Sequence, residues 1–380
     1  MSKLRKLTDK IKPTFEKGGK LSFLYSTFEA FESFLFVPNR VTRSGVHVRD
    51  SVDIKRVMTA VMIALVPSLL FGIYNIGYQH NLASNAGMEF WEMVWFGILK
   101  ILPLYLVSYI VGLGIEFISA QLRGHEVSEG YLVSGLIIPL IIPITTPLWM
   151  LALAVAFAVI IGKEIFGGTG MNIWNPALVA RAFLFFAYPS HMSGDKVWVA
   201  GVDGFSGATP LAQTSEGLSS LHYSVSDMFF GFIPGSVGET STLAILLGAV
   251  FLIYTGIGSW KIMLSTVAGG LVMGFIANLA APSADCAMAI PAWYHLIMGG
   301  FAFGAVFMAT DPVTAAQTES GKWIYGFLIG VLAVIIRLFN PGYPEGMMLA
   351  ILLMNTFAPV IDHIVVGRNI KRRLKRAKTV

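Results

Sequence analysis

Asp203-Gly204-Phe205-Ser206-Gly207-Ala208-Thr209 sets a hydroxyl at the end of a small-residue turn in an otherwise strongly apolar chain. A hydroxyl that a modifying enzyme must reach belongs on an exposed loop, and Gly204, Ser206, Gly207 and Ala208 let the backbone bend while leaving steric room. The same composition also makes an ordinary polar turn between helices. A second string runs Lys163-Glu164-Ile165-Phe166-Gly167-Gly168-Thr169-Gly170-Met171-Asn172-Ile173-Trp174-Asn175-Pro176-Ala177. Its glycines allow backbone to approach a planar ligand, and the amides of Asn172 and Asn175 match the donor and acceptor edge of a flavin or quinone. Nucleotide binding by a phosphate loop is excluded, because no Gly-Lys-Ser/Thr follows and the preceding apolar run is a membrane span, not a strand. The alternative is a re-entrant connection whose glycines serve helix packing.

Ionisable groups inside apolar runs cost about 2.5–3.5 kcal/mol each on insertion, so each is a functional candidate. Glu116 and Asp362 lead, although both lie near an interface where they can snorkel or pair with the basic tail. Arg181 and Arg337 sit deeper, where pairing with an anion or a carbonyl cluster is expected. Asp311, Glu164 and Glu345 stand at helix breaks, where oxygen ligands could hold a cation. His125, His191, His295 and His363 lack the i, i+4 spacing of a metal pair or a haem ligand set.

The elements that must carry these residues follow from composition. Over 380 residues, 55% are hydrophobic, only 13% are charged and the mean hydropathy is +0.69, against about 25% charged in soluble domains. The chain reads as an all-α polytopic membrane protein. One cysteine, Cys286, excludes an intrachain disulfide and a cysteine-bound metal or iron–sulfur centre within this chain. The excess of basic residues answers to lipid headgroups and topology, with no nucleic-acid partner. The first fifty residues are polar, which argues against a cleavable signal peptide.

Ten apolar runs are long enough to approach the roughly 30 Å of hydrocarbon: 57–78, 94–118, 131–146, 148–162, 176–188, 241–258, 262–281, 294–310, 323–338 and 347–362. Runs 148–162 and 176–188 are short, hence either helped by flanking residues or broken. Of the 27 Lys and Arg, 12 fall in residues 1–56 and 7 in 367–380, so both termini are expected in the cytoplasm. The segment 189–240, with Thr209, then faces outside. Asn175-Pro176-Ala177 opens the fifth run and Asn340-Pro341-Gly342 precedes the tenth, which suggests an internal repeat. Five runs per half make the halves 57–188 and 241–362 inverted, an arrangement of many transporters in which interrupted spans mark the site. A channel or carrier for a small polar solute suits that repeat equally well. Residues 1–56 form a basic arm with an interfacial character, and 363–380 a basic tail.

Several strings together resemble the family of the B-type subunit of Na⁺-translocating NADH:quinone reductases, the Nqr complexes. They are His47-Val48-Arg49-Asp50-Ser51-Val52-Asp53, Gly167 to Ala177, Arg181-Ala182-Phe183-Leu184-Phe185-Phe186-Ala187-Tyr188-Pro189, Ser206 to Thr209, Pro234-Gly235-Ser236, Ala309-Thr310-Asp311-Pro312-Val313 and Pro344-Glu345-Gly346-Met347-Met348. The resemblance covers nearly the whole length. The D-type subunit of the Rnf complex, a ferredoxin:NAD oxidoreductase, shares the repeat and the threonine but lacks the long arm. The resemblance implies a urea/ammonium-channel-like fold and an electron-transfer subunit of a six-subunit complex in the bacterial inner membrane. It implies FMN joined by a phosphoester to Thr209, delivered by a flavin transferase whose metal Asp203 could help hold, with Ser206, Gly207 and Ala208 completing the motif. It further implies electron relay through riboflavin to ubiquinone, with NADH oxidised elsewhere and Na⁺ exported. Arg181, Asn172 and Asn175 are then cofactor-binding candidates, and Glu116 and Asp362 match acids suspected in Na⁺ uptake. Quinone is expected near Gly112 and the arm, where Leu113 replaces a second glycine of the family pattern.

Overall fold

A computed structural model describes residues 3–16, 18–36, 45, 54–123, 127, 130–201, 207–340 and 345–377. All regular structure among these residues is helical. The arm contributes α1 (Lys3–Ile11) and α2 (Tyr25–Leu35). The first half follows as α3 (Ile54–Ser84), α4 (Phe90–Arg123), α5 (Tyr131–Ile141), α6 (Leu148–Ile160) and α7 (Pro176–Ala187). Then come α8 (Pro210–Glu216), α9 (Val225–Phe230), α10 (Thr242–Tyr254), α11 (Trp260–Ala280), α12 (Tyr294–Ile297), α13 (Phe301–Phe303) with a π-helical turn at Gly304–Met308, α14 (Glu319–Phe339) and α15 (Met347–Ala377).

Among the described residues, six helices are long and apolar enough to cross a membrane: α3, α4, Leu148–Phe166, α11, α14 and α15. The other runs expected from hydropathy are α5, α7 and α10, each apolar but shorter, and 294–310, which is broken. The causes are local. The α5 helix stops at Ile141 ahead of Pro143, α7 cannot begin before Asn175-Pro176, and Gly299, at φ +59°, turns the chain between α12 and α13. Irregular backbone at this depth is tolerated where protein surrounds it, and Phe301, Phe303 and Met308 are all fully or nearly fully buried. Run 148–162, expected to be short, gains length from the 3₁₀ turn at Glu164–Phe166.

Small residues let the long helices approach. A Cβ on Gly269 of α11 would fall 2.1 Å from the Phe327 carbonyl oxygen of α14, and one on Gly330 would fall 2.1 Å from that of Thr266. Glycines at such seams replace hydrophobic sorting, which lipid does not provide. One large apolar cluster fills the bundle between α3, α5, α6, α7 and the 301–309 segment. A second, smaller one joins Leu211, Met228, Ile233, Ile290, Ile297 and Met298.

That second cluster builds a folded cap from the described residues 189–201 and 207–240 at the end of the bundle where α3 finishes. Asn75 of α3 donates to the Ile233 carbonyl at 2.9 Å, and His80 Nδ1 donates to the Ala200 carbonyl at 2.8 Å. At the other end the arm folds back: Glu32 of α2 receives Lys12 at 2.9 Å and Arg5 at 3.4 Å, and Phe31 meets Phe117 of α4. The basic tail is not separate from the tenth run, since α15 continues unbroken to Ala377.

Candidate functional site

Thr209 is the N-cap of α8. With φ −67° and ψ 154°, its hydroxyl oxygen accepts from the Ala212 N–H at 3.2 Å, and Pro210 occupies the first helical position. Threonine followed by proline is well suited to open a helix, because the cap satisfies one orphan N–H and proline has none to satisfy. Thr209 is only 8% exposed. This corrects the expectation of an open loop, since capping draws the side chain back over the helix end. Gly207 donates to the Asp195 carbonyl at 2.9 Å, and Gln213 bridges the Ala208 carbonyl and the His222 N–H. The position is therefore held on both sides. Asp203 and Ser206 lie outside the described residues.

At the opposite end of the bundle a cleft opens between the start of α3, the start of α5, the 163–176 connection and Asp311. Its unfilled volume is about 750 Å³, counting the solvent-facing part, and Lys163, Thr169, Asn172, Asn175, Thr310 and Asp311 give it polar groups among apolar walls such as Val61 and Phe307. Asn172 and Asn175 thus line the same cleft. Each already serves the backbone. Asn175 caps α7 by accepting from the Ala177 N–H at 3.0 Å and donates to Asp311 at 3.2 Å. Asn172 donates to the Trp174 carbonyl at 3.0 Å and accepts from the Gly170 N–H at 3.3 Å. An amide has two acceptor lone pairs and two donor hydrogens, so each keeps capacity for a ligand edge.

Arg181 does not line this cleft. It is 1% exposed and pairs with Glu239 at 2.9 Å and with Glu345, which places the guanidinium inside the bundle. Arg337, 4% exposed, donates to the carbonyls of His295 at 2.6 Å and Met298 at 2.8 Å. Both arginines thus find the anion and the carbonyl cluster that their depth demanded. Glu239 is the functional group that sequence reading missed. Its signal was the demand itself, because a buried arginine requires a carboxylate from elsewhere.

Glu116 forms a buried pair with Lys163, each side chain 3% exposed, so its partner is the cleft's lysine and not the basic tail. Asp362 accepts from the N–H groups of Gln317 at 2.7 Å and Thr318 at 2.9 Å, which ties α15 to the capped start of α14. Each acid belongs to its own local network, and no group of three or more metal-ligating side chains gathers among the described residues. Gly112 is covered by Tyr131, whose Cζ lies 1.9 Å from where a Cβ would stand.

Comparison with known proteins finds similarity over nearly the whole chain. Residues 41–371 match the model of the NQR2, RnfD, RnfE family. A Chromohalobacter salexigens protein described as the B-type subunit of a Na(+)-translocating NADH-quinone reductase is 47% identical over 397 residues, covering 98% of this chain and 96% of that one. Proteins of the same description from Pseudomonas aeruginosa and Pseudoalteromonas atlantica are each 46% identical over 400 residues, covering 98% of this chain and 99% of theirs. On both grounds the chain belongs to the NQR2, RnfD, RnfE family.

Proposed function

We propose that the protein is the membrane electron-transfer subunit of a Na⁺-pumping NADH:quinone oxidoreductase. It would carry FMN covalently on Thr209, hold riboflavin in the cleft and pass electrons towards ubiquinone. The observation that carries this reading is near-full-length similarity to proteins described as that subunit. Two features of the chain support it. Thr209 sits in a built cap, and the cleft combines apolar walls with amide groups, the usual make-up of a small-molecule site. Lys163 is the only lysine or arginine among the described residues lining the cleft, and Glu116 already balances it. A phosphate would face Asp311 uncompensated, so a phosphate-free flavin suits the donor set. When bound, the flavins supply one- and two-electron chemistry; the protein positions them and sets their surroundings.

Ten crossings in two inverted halves account for the packing. In one half α6 packs against α4 and α7, and in the other α14 packs against α11 and α15. In that topology both termini and the cleft face the cytoplasm, and Thr209 faces outside. Residues 57 to 80 of α3 separate cleft from cap by about 35 Å at roughly 1.5 Å per residue, so the relay crosses the membrane with help from cofactors of the other subunits. Na⁺ uptake at Glu116 and Asp362 would require each carboxylate to exchange a present partner for the ion. Quinone would bind on the inner half of α4, beside Gly112, Tyr131 and the arm. A solute channel is the weaker reading, because the Arg181, Glu239 and Glu345 pairs fill the interior.

The test is tandem mass spectrometry of the peptide bearing Thr209, from a host co-expressing a flavin transferase. An FMN-sized increment on Thr209, absent from Thr209→Ala, is expected. An unmodified threonine beside a modified control flavoprotein would defeat the covalent assignment.

A further inference from the structure

The cleft at the inner end contains a charge that the proposed function leaves without a task. Lys163 lines it, yet its side chain is 3% exposed and its ammonium pairs with Glu116. A buried ion pair is a poor source of stability, since its desolvation cost rivals its attraction. The neighbouring acid of the same connection does not share this partner: Glu164 turns to Arg123 at 3.5 Å and to Ser119. Glu116 is absent from the cleft lining and Lys163 is part of it, so the pair presents its lysine, not its carboxylate, to a ligand. Asp311, held by Asn175, Thr314 at 3.1 Å and the Val313 N–H at 3.0 Å, puts an acidic side chain on another wall. The slot is polarised.

A reduced isoalloxazine gathers electron density on its pyrimidine edge, around N1 and the C2 carbonyl, and charge near that edge is one of the levers by which a protein sets a flavin's electron affinity. We propose that Lys163, held in position by Glu116, is the positioning and tuning group of the cleft: it draws the pyrimidine edge of a phosphate-free flavin towards its own wall and raises that flavin's midpoint potential. This rests on the reading that a flavin occupies the cleft. Glu116 moderates the effect, so the two residues act with opposite sign.

The test is a redox titration of the non-covalent flavin in the purified complex, with that flavin also quantified after acid extraction. Lys163→Met should lower its midpoint potential, and Glu116→Gln should raise it by leaving the ammonium uncompensated. The double variant removes both charges together, the change that buried pairs tolerate best, and should stay below the parent by less than Lys163→Met alone. For the double variant the expected change is about tenfold in the reduced-to-oxidised ratio at fixed potential, the size of a unit charge a few ångströms nearer than its counter-charge at an effective dielectric of about 20, and Lys163→Met, which leaves Glu116 in place, should exceed it. Shifts of the same sign in both single variants, or none with the flavin still bound, would overturn the tuning role. If the singles fail to assemble, an unchanged potential in the double does the same. An extractable flavin missing from the parent complex would instead remove the cleft reading itself.

Discussion

Arg181, Glu239, Arg337 and Glu345 commit four charges to the interior of an apolar bundle, and their geometry explains how that is survivable. Arg181 reaches two carboxylates from different parts of the chain, while Arg337 is satisfied by carbonyls exposed where α12 breaks. Removing one partner of such a pair leaves an uncompensated charge and costs about 3–5 kcal/mol. Arg181→Met should therefore lower the thermal midpoint of the detergent-solubilised protein strongly, whereas Arg181→Met combined with Glu239→Gln and Glu345→Gln should recover much of the loss. A triple variant no better than the single would show that Arg181 acts by packing and not by charge. The arginines were legible in the sequence because insertion cost alone marks them. Glu239 was not, because it lies 58 residues from Arg181, and hydrophobic patterning does not report pairings at that distance.

At the scale of elements, the cap is held by an exposed contact as well as by apolar packing. Asp285, between α11 and α12, accepts from the Ser219 N–H at 2.8 Å and from its hydroxyl at 2.6 Å, just beyond the end of α8. Gly217, at φ +142°, lets the chain pass there, since a Cβ would stand 2.8 Å from the Asp285 carboxylate. These donors to the charged form hold the carboxyl below its ordinary value. A depressed carboxylate stabilises the fold above its unfolded pKa, near 3.9, and that contribution is lost as pH falls through the lower folded value. Hydrogen exchange of residues 209–221, corrected for intrinsic rates, should accelerate relative to α11 as pH drops below about 4. Asp285→Asn should remove that pH dependence; its persistence would show that another group governs the cap. The Thr-Pro start of α8 is a cap signal in the sequence, and capping draws back a hydroxyl that the small-residue turn alone would leave open. Chemistry inferred for a residue does not state how much of it the surrounding fold conceals.

For the whole molecule, hydropathy and charge bias made the helical membrane class and the positions of the long helices plain. They did not reveal which runs would break, because a window of apolar residues cannot distinguish a continuous span from pieces whose backbone is satisfied by neighbouring protein. Run 294–310 is the clearest case, with Gly299 and the π-helical turn dividing what composition presents as one element. Orientation is the remaining global property, and the chain provides its own probe. Cys286 is its one cysteine, partly exposed beside Asp285 on the Thr209 end. A membrane-impermeant maleimide should label it in right-side-out vesicles and not in inverted ones. A Cys286→Ser, Arg368→Cys variant, whose thiol lies on the basic extension of α15, should show the reverse pattern. If Cys286 is labelled only from the cytoplasmic face, Thr209 lies on that face too, and flavin attachment outside the membrane is ruled out together with the inward-facing cleft.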